Sequence, residues 1–317
     1  MTALKLGTRK SLMATTQSQG VADALTRLTG RAVELVGITT EGDVSKAQLA
    51  QMGGTGVFVS ALRDHLLSGD IDFAVHSLKD LPTGPAEGIT LAATPRRDDP
   101  RDALCSAPLP SPHPPGGLPK LADLPRAARV GTGSPRRVAQ LKALRSDLEV
   151  VPIRGNADTR LRKVTGGELD AVVLAYAGLR RIGRMDDVAE IFEPDQMLPA
   201  PGQGSLAVEC RSDRADLREL LATVDDPATR AAVTAERTVL AVLEAGCSAP
   251  VGAYAAVQDH GREEQELHLT AAVVAHDGAR QIRLSASGHP GDAERIGRGL
   301  AADLLALGAD QLMGERE

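Results

Sequence analysis

The run Arg129-Val130-Gly131-Thr132-Gly133-Ser134-Pro135-Arg136-Arg137-Val138-Ala139-Gln140-Leu141-Lys142-Ala143-Leu144 decides the fold. Arg129 to Thr132 reads as a strand that ends in a glycine-containing turn. Ser134 and Pro135 then supply an N-cap hydroxyl and a first-turn proline for a helix over Pro135 to Leu144. A strand that hands over directly to a helix is half of a βαβ unit. Glu149 to Ile153 and Ala171 to Ala175 read as further buried parallel strands, with helical spacing at Thr159 to Val164 between them.

The same alternation opens the chain. Leu4 to Gly7 reads as a strand, Ser11 to Leu28 as a helix capped by Ser11 and stopped by Gly30, and Ala32 to Ile38 as a strand. Beyond a glycine-rich loop at Gly53 to Gly56, Phe58 to Leu67 has helical spacing ending at Gly69, and Phe73 to Leu78 is strand-like. Between the two units, Ala107 to Pro125 is rich in proline and glycine and reads as a surface loop near a domain junction. Ser205 to Glu209 is another strand, and Ala228 to Glu244 a helix that ends at Gly246. The pattern then changes: Val251 to Val257, Glu266 to Val274 and Gln281 to Ser287 read as three strands, and Glu294 to Leu307 as a closing helix. The expectation is α/β: two tandem units with a cleft between them, plus a small α+β C-terminal domain.

Composition excludes several classes. The 317 residues are 42% hydrophobic and 25% charged, an ordinary globular balance, but only 2% aromatic with no Trp, so the core must be built from Ala, Val, Leu and Ile. No apolar run approaches the roughly 20 residues of a membrane span, and the N-terminus lacks the pattern of a secretory leader. Cys105, Cys210 and Cys247 form no CxxC or Cys/His spacing, which disfavours a disulfide scaffold and any metal site and fits a reducing cytoplasm. A net charge of −6 with few stacking aromatics argues against nucleic acid as a partner.

Local basic clusters therefore need local reasons. In His76-Ser77-Leu78-Lys79-Asp80-Leu81-Pro82 an apolar strand ends in charged residues, the place where α/β sheets gather ligands. From position alone, Asp80 is equally a catalytic carboxylate or half of a solvated charge pair, and His76, inside the strand, is structural. The turn Gly131 to Arg137 presents a helix N-terminus beside two arginines, which favours an anion, though the phosphate-loop spacing is absent. Ile153-Arg154-Gly155-Asn156-Ala157-Asp158-Thr159-Arg160-Leu161 repeats that architecture. Arg9 follows the first strand, and Arg180 and Arg181 follow a later one. Four arginine-bearing strand ends suggest a pocket for a ligand with several carboxylates or phosphates. Cys247, in a tight turn after a helix C-terminus, has no physical reason to be reactive. Cys210 belongs to the core.

Taken together, VHSLKDLPT (Val75 to Thr83), GTGSPRR (Gly131 to Arg137), IRGNADTRL (Ile153 to Leu161), LPAPGQGSLAVECR (Leu198 to Arg211) and GCSAPVGAYA (Gly246 to Ala255) resemble porphobilinogen deaminases over nearly the whole chain. The resemblance implies two periplasmic-binding-protein-like domains, residues 1–96 with 205–222 and residues 97–204, and a third domain over 226–317. It implies a dipyrromethane cofactor joined by a thioether to Cys247. Four porphobilinogens would be added to it before hydrolysis releases linear hydroxymethylbilane from a cytoplasmic, monomeric enzyme. Asp80 matches the family's catalytic aspartate. Arg9, Ser11, Lys79, Thr132, Ser134, Arg136, Arg137, Arg154, Gly155, Arg160 and Arg181 match its cofactor- and substrate-binding positions. An arginine-lined cleft suits a ligand that gains an acetate and a propionate with every unit. Asp80 would protonate the leaving amine and stabilise the azafulvene cation. Two departures stand out: Thr55 and Ser60 replace common lysines in a stretch that reads as a mobile lid, and Asp158, read as a helix cap, adds negative charge near Arg160. The rival reading is a non-enzymatic two-domain anion- or solute-binding protein, which leaves Cys247 and the third domain without a task.

Overall fold

Strand β1 (Leu4–Arg9) buries Leu4, Leu6, Gly7 and Thr8, and helix α1 (Leu12–Thr29) starts where the sequence places it. The Ser11 hydroxyl accepts the Ala14 N–H at 3.3 Å, and Gly30, at φ 70°, closes the helix by donating to the Thr26 carbonyl. Ser18, Val21, Ala22 and Leu25 form its inward stripe, and each leucine so buried is worth about 1.5–3 kcal/mol. The structure, a computed structural model, describes residues 2–39, 56–108, 117–245, 249–259 and 265–314. The Gly53–Gly56 loop with Thr55 and the turn at Gly246 and Cys247 thus lie wholly or largely outside the described residues.

β2 (Val33–Ile38) and β3 (Phe73–Ser77) flank β1 in parallel, with α2 (Gly56–Ser68) between them in sequence. β4 (Ile89–Ala93) and the late strand β10 (Leu206–Arg211) complete a sheet of order β2-β1-β3-β10-β4, in which β10 runs antiparallel to both neighbours. The second sheet repeats this plan. It comprises β5 (Asp102–Ser106), β6 (Arg129–Gly131), β7 (Glu149–Val151), β8 (Ala171–Ala175) and β9 (Glu190–Ile191) in the order β7-β6-β8-β5-β9. β6 is parallel to β7 and β8, whereas β5 is antiparallel to β8 and β9. Helices α3 (Pro135–Leu144), α4 (Ala157–Thr165) and α5 (Tyr176–Arg181) connect this lobe.

Each lobe thus takes its antiparallel fourth strand from beyond a crossing segment, residues 94–101 on the way out and 192–205 on the way back. The two crossings lie side by side: Asp98 N–H donates to the Gly204 carbonyl at 3.2 Å. Gly204, at φ 87°, is required there, because a Cβ would fall 2.5 Å from the Asp98 oxygen.

α6 (Ala215–Ala222) returns along the first lobe, and α7 (Pro227–Val242) enters the third. There β11 (Val251–Asp259), β12 (Gln265–Val274) and β13 (Gln281–Gly288) form an antiparallel meander against α7 and α8 (Ala293–Ala306), with α9 (Ala309–Leu312) closing the edge. Ala235, Val239, Leu243, Leu267, Leu269, Leu300 and Leu304 belong to its core.

The structure adds β4, β5 and α6, none of which the sequence pattern announced. It also corrects two readings. The Ala107–Pro125 stretch is not all surface loop, since Leu121 and Leu124 are buried in the second lobe's core. Asp158 is not a helix cap: Asn156 Oδ1 accepts the Thr159 N–H at 2.9 Å, so α4 starts earlier, and Asp158 pairs with Arg184 at 2.8 Å.

Candidate active site

Asp80 stands in a single 3₁₀ turn, Leu78–Asp80, at the C-terminal end of β3. Leu78 and Leu81 are both buried, so the turn is pinned on either side of the half-buried Lys79 and Asp80. Leu78 N–H also donates to the Ser205 carbonyl at 3.0 Å, tying the turn to the return crossing. His76 lies behind it at 3.3 Å from Glu209, which Arg63 also grips at 2.7 Å, a buried arrangement in keeping with a structural histidine.

Across from this turn, α3 begins at Ser134, which occupies the N-cap position without a capping bond from its side chain. Its N–H instead donates to Thr132 Oγ1 at 3.2 Å. Arg136 and Arg137 point inward and are only 3% and 5% exposed. The reason is Asp102, the first residue of β5 and fully buried: one carboxylate oxygen takes Arg136 at 2.7 Å, and the other takes Arg137 at 2.7 and 3.0 Å. Arg136 also donates to the Leu198 carbonyl and Arg137 to that of Val173. The two guanidinium groups hold the Asp102 carboxyl far below the usual range in spite of its burial.

Gln203 joins the two sides. Its amide nitrogen donates to the Pro100 carbonyl at 2.6 Å and to Asp102 at 2.9 Å, while its oxygen accepts Lys79 Nζ at 3.3 Å and lies 3.5 Å from Arg137. Burial, and then the positive charge of Arg137, pull Lys79 down to about 8. Arg160 is lowered by the same two causes. Lys79, Arg136, Arg137 and Arg160 therefore share one neighbourhood in which positive charge is in excess.

The other sequence-predicted residues lie around this centre. Arg160 Nε donates to the Gly155 carbonyl at 2.8 Å; Gly155 has φ 111°, and a Cβ there would meet Thr159 at 2.9 Å. Arg154 is exposed, and Arg9 closes β1 half-buried near the Ser11 cap. Arg181 donates to the Gly204 carbonyl at 2.7 Å and is 3.4 Å from Asp98, so it braces the paired crossings. Ser60 is exposed on α2. Cys105 and Cys210 are buried thiols pushed up to about 12 and about 11, which keeps both protonated.

Sequence reasoning missed three groups. Asp102 closes the charged run Arg96 to Asp102, which hides it among solvated neighbours, and Gln203 lay inside a quoted motif without a role. The third is Glu236 of α7, completely buried, which takes Arg97 at 2.5 Å and the N–H groups of Gly202 and Ala255 at 2.6 and 2.7 Å. It fastens the third lobe to both crossings.

Residues 4–219 match the family model described as "Porphobilinogen deaminase, dipyromethane cofactor binding domain", and residues 230–306 match "Porphobilinogen deaminase, C-terminal domain". The chain is 59% identical to a porphobilinogen deaminase of Thermobifida fusca, over 99% of this chain and 97% of that protein. It is 56% identical to porphobilinogen deaminase 1 of Streptomyces coelicolor, over 99% and 98%. Among solved structures, the methionine-binding protein MetQ aligns with a TM-score of 0.45 at 12% identity, over 70% of this chain and 89% of that one. With two family models in sequence order and full-length relatives above half identity, this chain belongs to the porphobilinogen deaminase family.

Proposed function

We propose that the chain condenses four porphobilinogen molecules head to tail, with release of ammonia, into hydroxymethylbilane, that Asp80 is its acid–base group, and that a dipyrromethane is held by a thioether to Cys247. The single observation that carries the site assignment is the bridge through Gln203: the turn bearing Asp80 and the helix start bearing Arg136 and Arg137 meet at one amide. The residues fit the implied cofactor. Lys79 and Arg160 are both destabilised as cations, first by burial and then by Arg137, and a bound polycarboxylate offsets that cost. Lys79, Arg160, Arg154, Arg9 and the hydroxyls of Ser11 and Ser134 would hold its acetate and propionate groups, with Arg136, Arg137 and Thr132 as the rigid floor and Arg181 and Gly155 shaping the rim. When bound, the dipyrromethane supplies the nucleophilic pyrrole carbon at which the product grows.

Asp80, half-buried and beside Lys79, donates a proton to the departing substrate amine. The carboxylate so formed stabilises the cation that remains on the substrate and takes up the ring proton after carbon attack. One carboxylate thereby completes each cycle. The division into residues 1–96 with 205–222, 97–204 and 226–317 is part of this proposal, supported by three sheets that each draw their strands from one of those spans. So are a cytoplasmic location and a monomeric state. Among the described residues no helix is long and apolar enough to cross a membrane.

Intact-mass measurement on the purified protein is the test. An excess equal to two pyrrole units, lost in Cys247→Ser, is expected. Asp80→Asn should fold normally but lose about 10²- to 10⁴-fold in turnover, the usual worth of a positioned acid–base group. A bare mass together with no ammonia release from porphobilinogen would favour the solute-binding alternative.

A further inference from the structure

The turn that carries Asp80 is held from outside its own lobe. Helix α7, which belongs to the third lobe's core, sends Val233 into a cluster with Leu78, Leu81, Val59 and Ala207. One helical turn further on, the Arg237 guanidinium donates to the main-chain carbonyls of Leu78 at 3.4 Å, Leu81 at 3.1 Å and Pro82 at 2.7 Å. Between them, Glu236 locks the same helix to Gly202 and Arg97. Residues 233, 236 and 237 share one helical face, and all three point at the 78–82 turn or at the crossing beside it. In sequence, Cys247 follows five residues after the last residue of that helix, Val242.

From this geometry we propose that Arg237 is a positioning residue: by gripping three carbonyls around the Leu78–Asp80 turn from α7, it fixes where the Asp80 carboxylate stands. The claim rests on Asp80 being the acid–base group. A forked, planar guanidinium can serve three acceptors spread over five residues, which a lysine ammonium on a flexible stem cannot do with equal rigidity. Without that grip, Leu78 and Leu81 still anchor the turn, so the fold should survive. The main chain around Asp80 gains freedom, however, and a displacement of about 1 Å at a reacting group costs on the order of 100-fold in rate. The guanidinium also borders a cleft of about 600 Å³ lined by Thr83, Leu91, Thr94 and α7, so a shorter side chain leaves space that solvent can fill.

The experiment compares Arg237→Met and Arg237→Lys with wild type as cofactor-loaded, full-length enzymes, loading being checked by mass and assays run well below each Tm. Arg237→Met should lower kcat about 10- to 100-fold while KM changes less than about threefold, and Arg237→Lys should restore part of the loss. In an Asp80→Glu background, where the carboxylate is already displaced, Arg237→Met should cost less than about threefold. A kcat for Arg237→Met within about threefold of wild type overturns the proposal, as does an undiminished loss in the Asp80→Glu background. If the methionine variant does not fold, Arg237→Lys carries the same comparison, and wild-type kcat there overturns it. A wild-type protein that released no ammonia from porphobilinogen would instead sink the assigned reaction, and the positioning role with it.

Discussion

Replacing Glu236 with glutamine should unfasten the third lobe from the crossings. Each carboxylate oxygen receives one guanidinium N–H and one main-chain N–H: Oε1 takes Arg97 Nη1 and Ala255, and Oε2 takes Arg97 Nη2 and Gly202. Whichever oxygen becomes an NH₂ group, two donors then face a donor, so two of the four bonds are lost. Hydrogen bonds to a charged group contribute about 1.5–3 kcal/mol each, which puts the loss near 3–6 kcal/mol. That agrees with the about 3–5 kcal/mol for breaking a buried ion pair from one side. Arg97 keeps a partial refuge in the carbonyls of Gln203 at 2.9 Å and Ala255 at 3.4 Å and in the Tyr254 ring at 5.3 Å. Urea denaturation followed by hydrogen exchange is the assay: the first transition should move to lower urea, and the Ala255 and Gly202 amides should lose protection together. Pairing Arg97→Met with Glu236→Leu should recover only part of the stability, because no charge is left stranded but the Gly202 and Ala255 N–H groups lose their acceptor. A loss below about 1 kcal/mol for Glu236→Gln would refute the reasoning.

Lys79 gives a pH signature. Its folded-state value of about 8 lies below its ordinary 10.5, so over that window the unfolded chain holds a proton the cofactor-free fold has released, and stability should rise with pH through it. In Lys79→Arg that rise should disappear from the stability–pH profile of the cofactor-free protein; equal profiles would refute the assignment. Asp102→Asn strands two buried guanidinium groups and should cost about 3–5 kcal/mol, read as a fall in the urea midpoint. Retention of wild-type stability would mean that Leu198, Val173 and solvent suffice for both arginines.

The sequence was most legible where local chemistry decides structure. Ser11 and Gly30 bound α1, and Pro135 opens α3, because caps and prolines act on their own neighbours. Strand β5 was hidden for the opposite reason. Asp102-Ala103-Leu104-Cys105-Ser106 is buried at every position, and its leading charge is tolerable only because Arg136 and Arg137 arrive from a distant helix. Glu209 in β10, paired with Arg63 and 3.3 Å from His76, obeys the same logic. The arginine-bearing strand ends were visible, but not their division of labour: two are buried beneath the site, Arg181 braces the crossings, and Arg154 faces solvent. No local pattern distinguishes an arginine bound for an internal aspartate from one bound for a ligand.

The exchange of strands between the two sheets has a consequence for biosynthesis. Among the described residues β4 pairs with β10 alone, and β10 separates it from β3, so the described strands of residues 4–93 do not close their own sheet. As the chain leaves the ribosome, the lobe translated first has to wait for more than a hundred further residues, while the inserted lobe already has every strand it needs once Ile191 has emerged. Translation that stalls before Leu206 would therefore present the bare edge of β3 to chaperones or to other nascent chains.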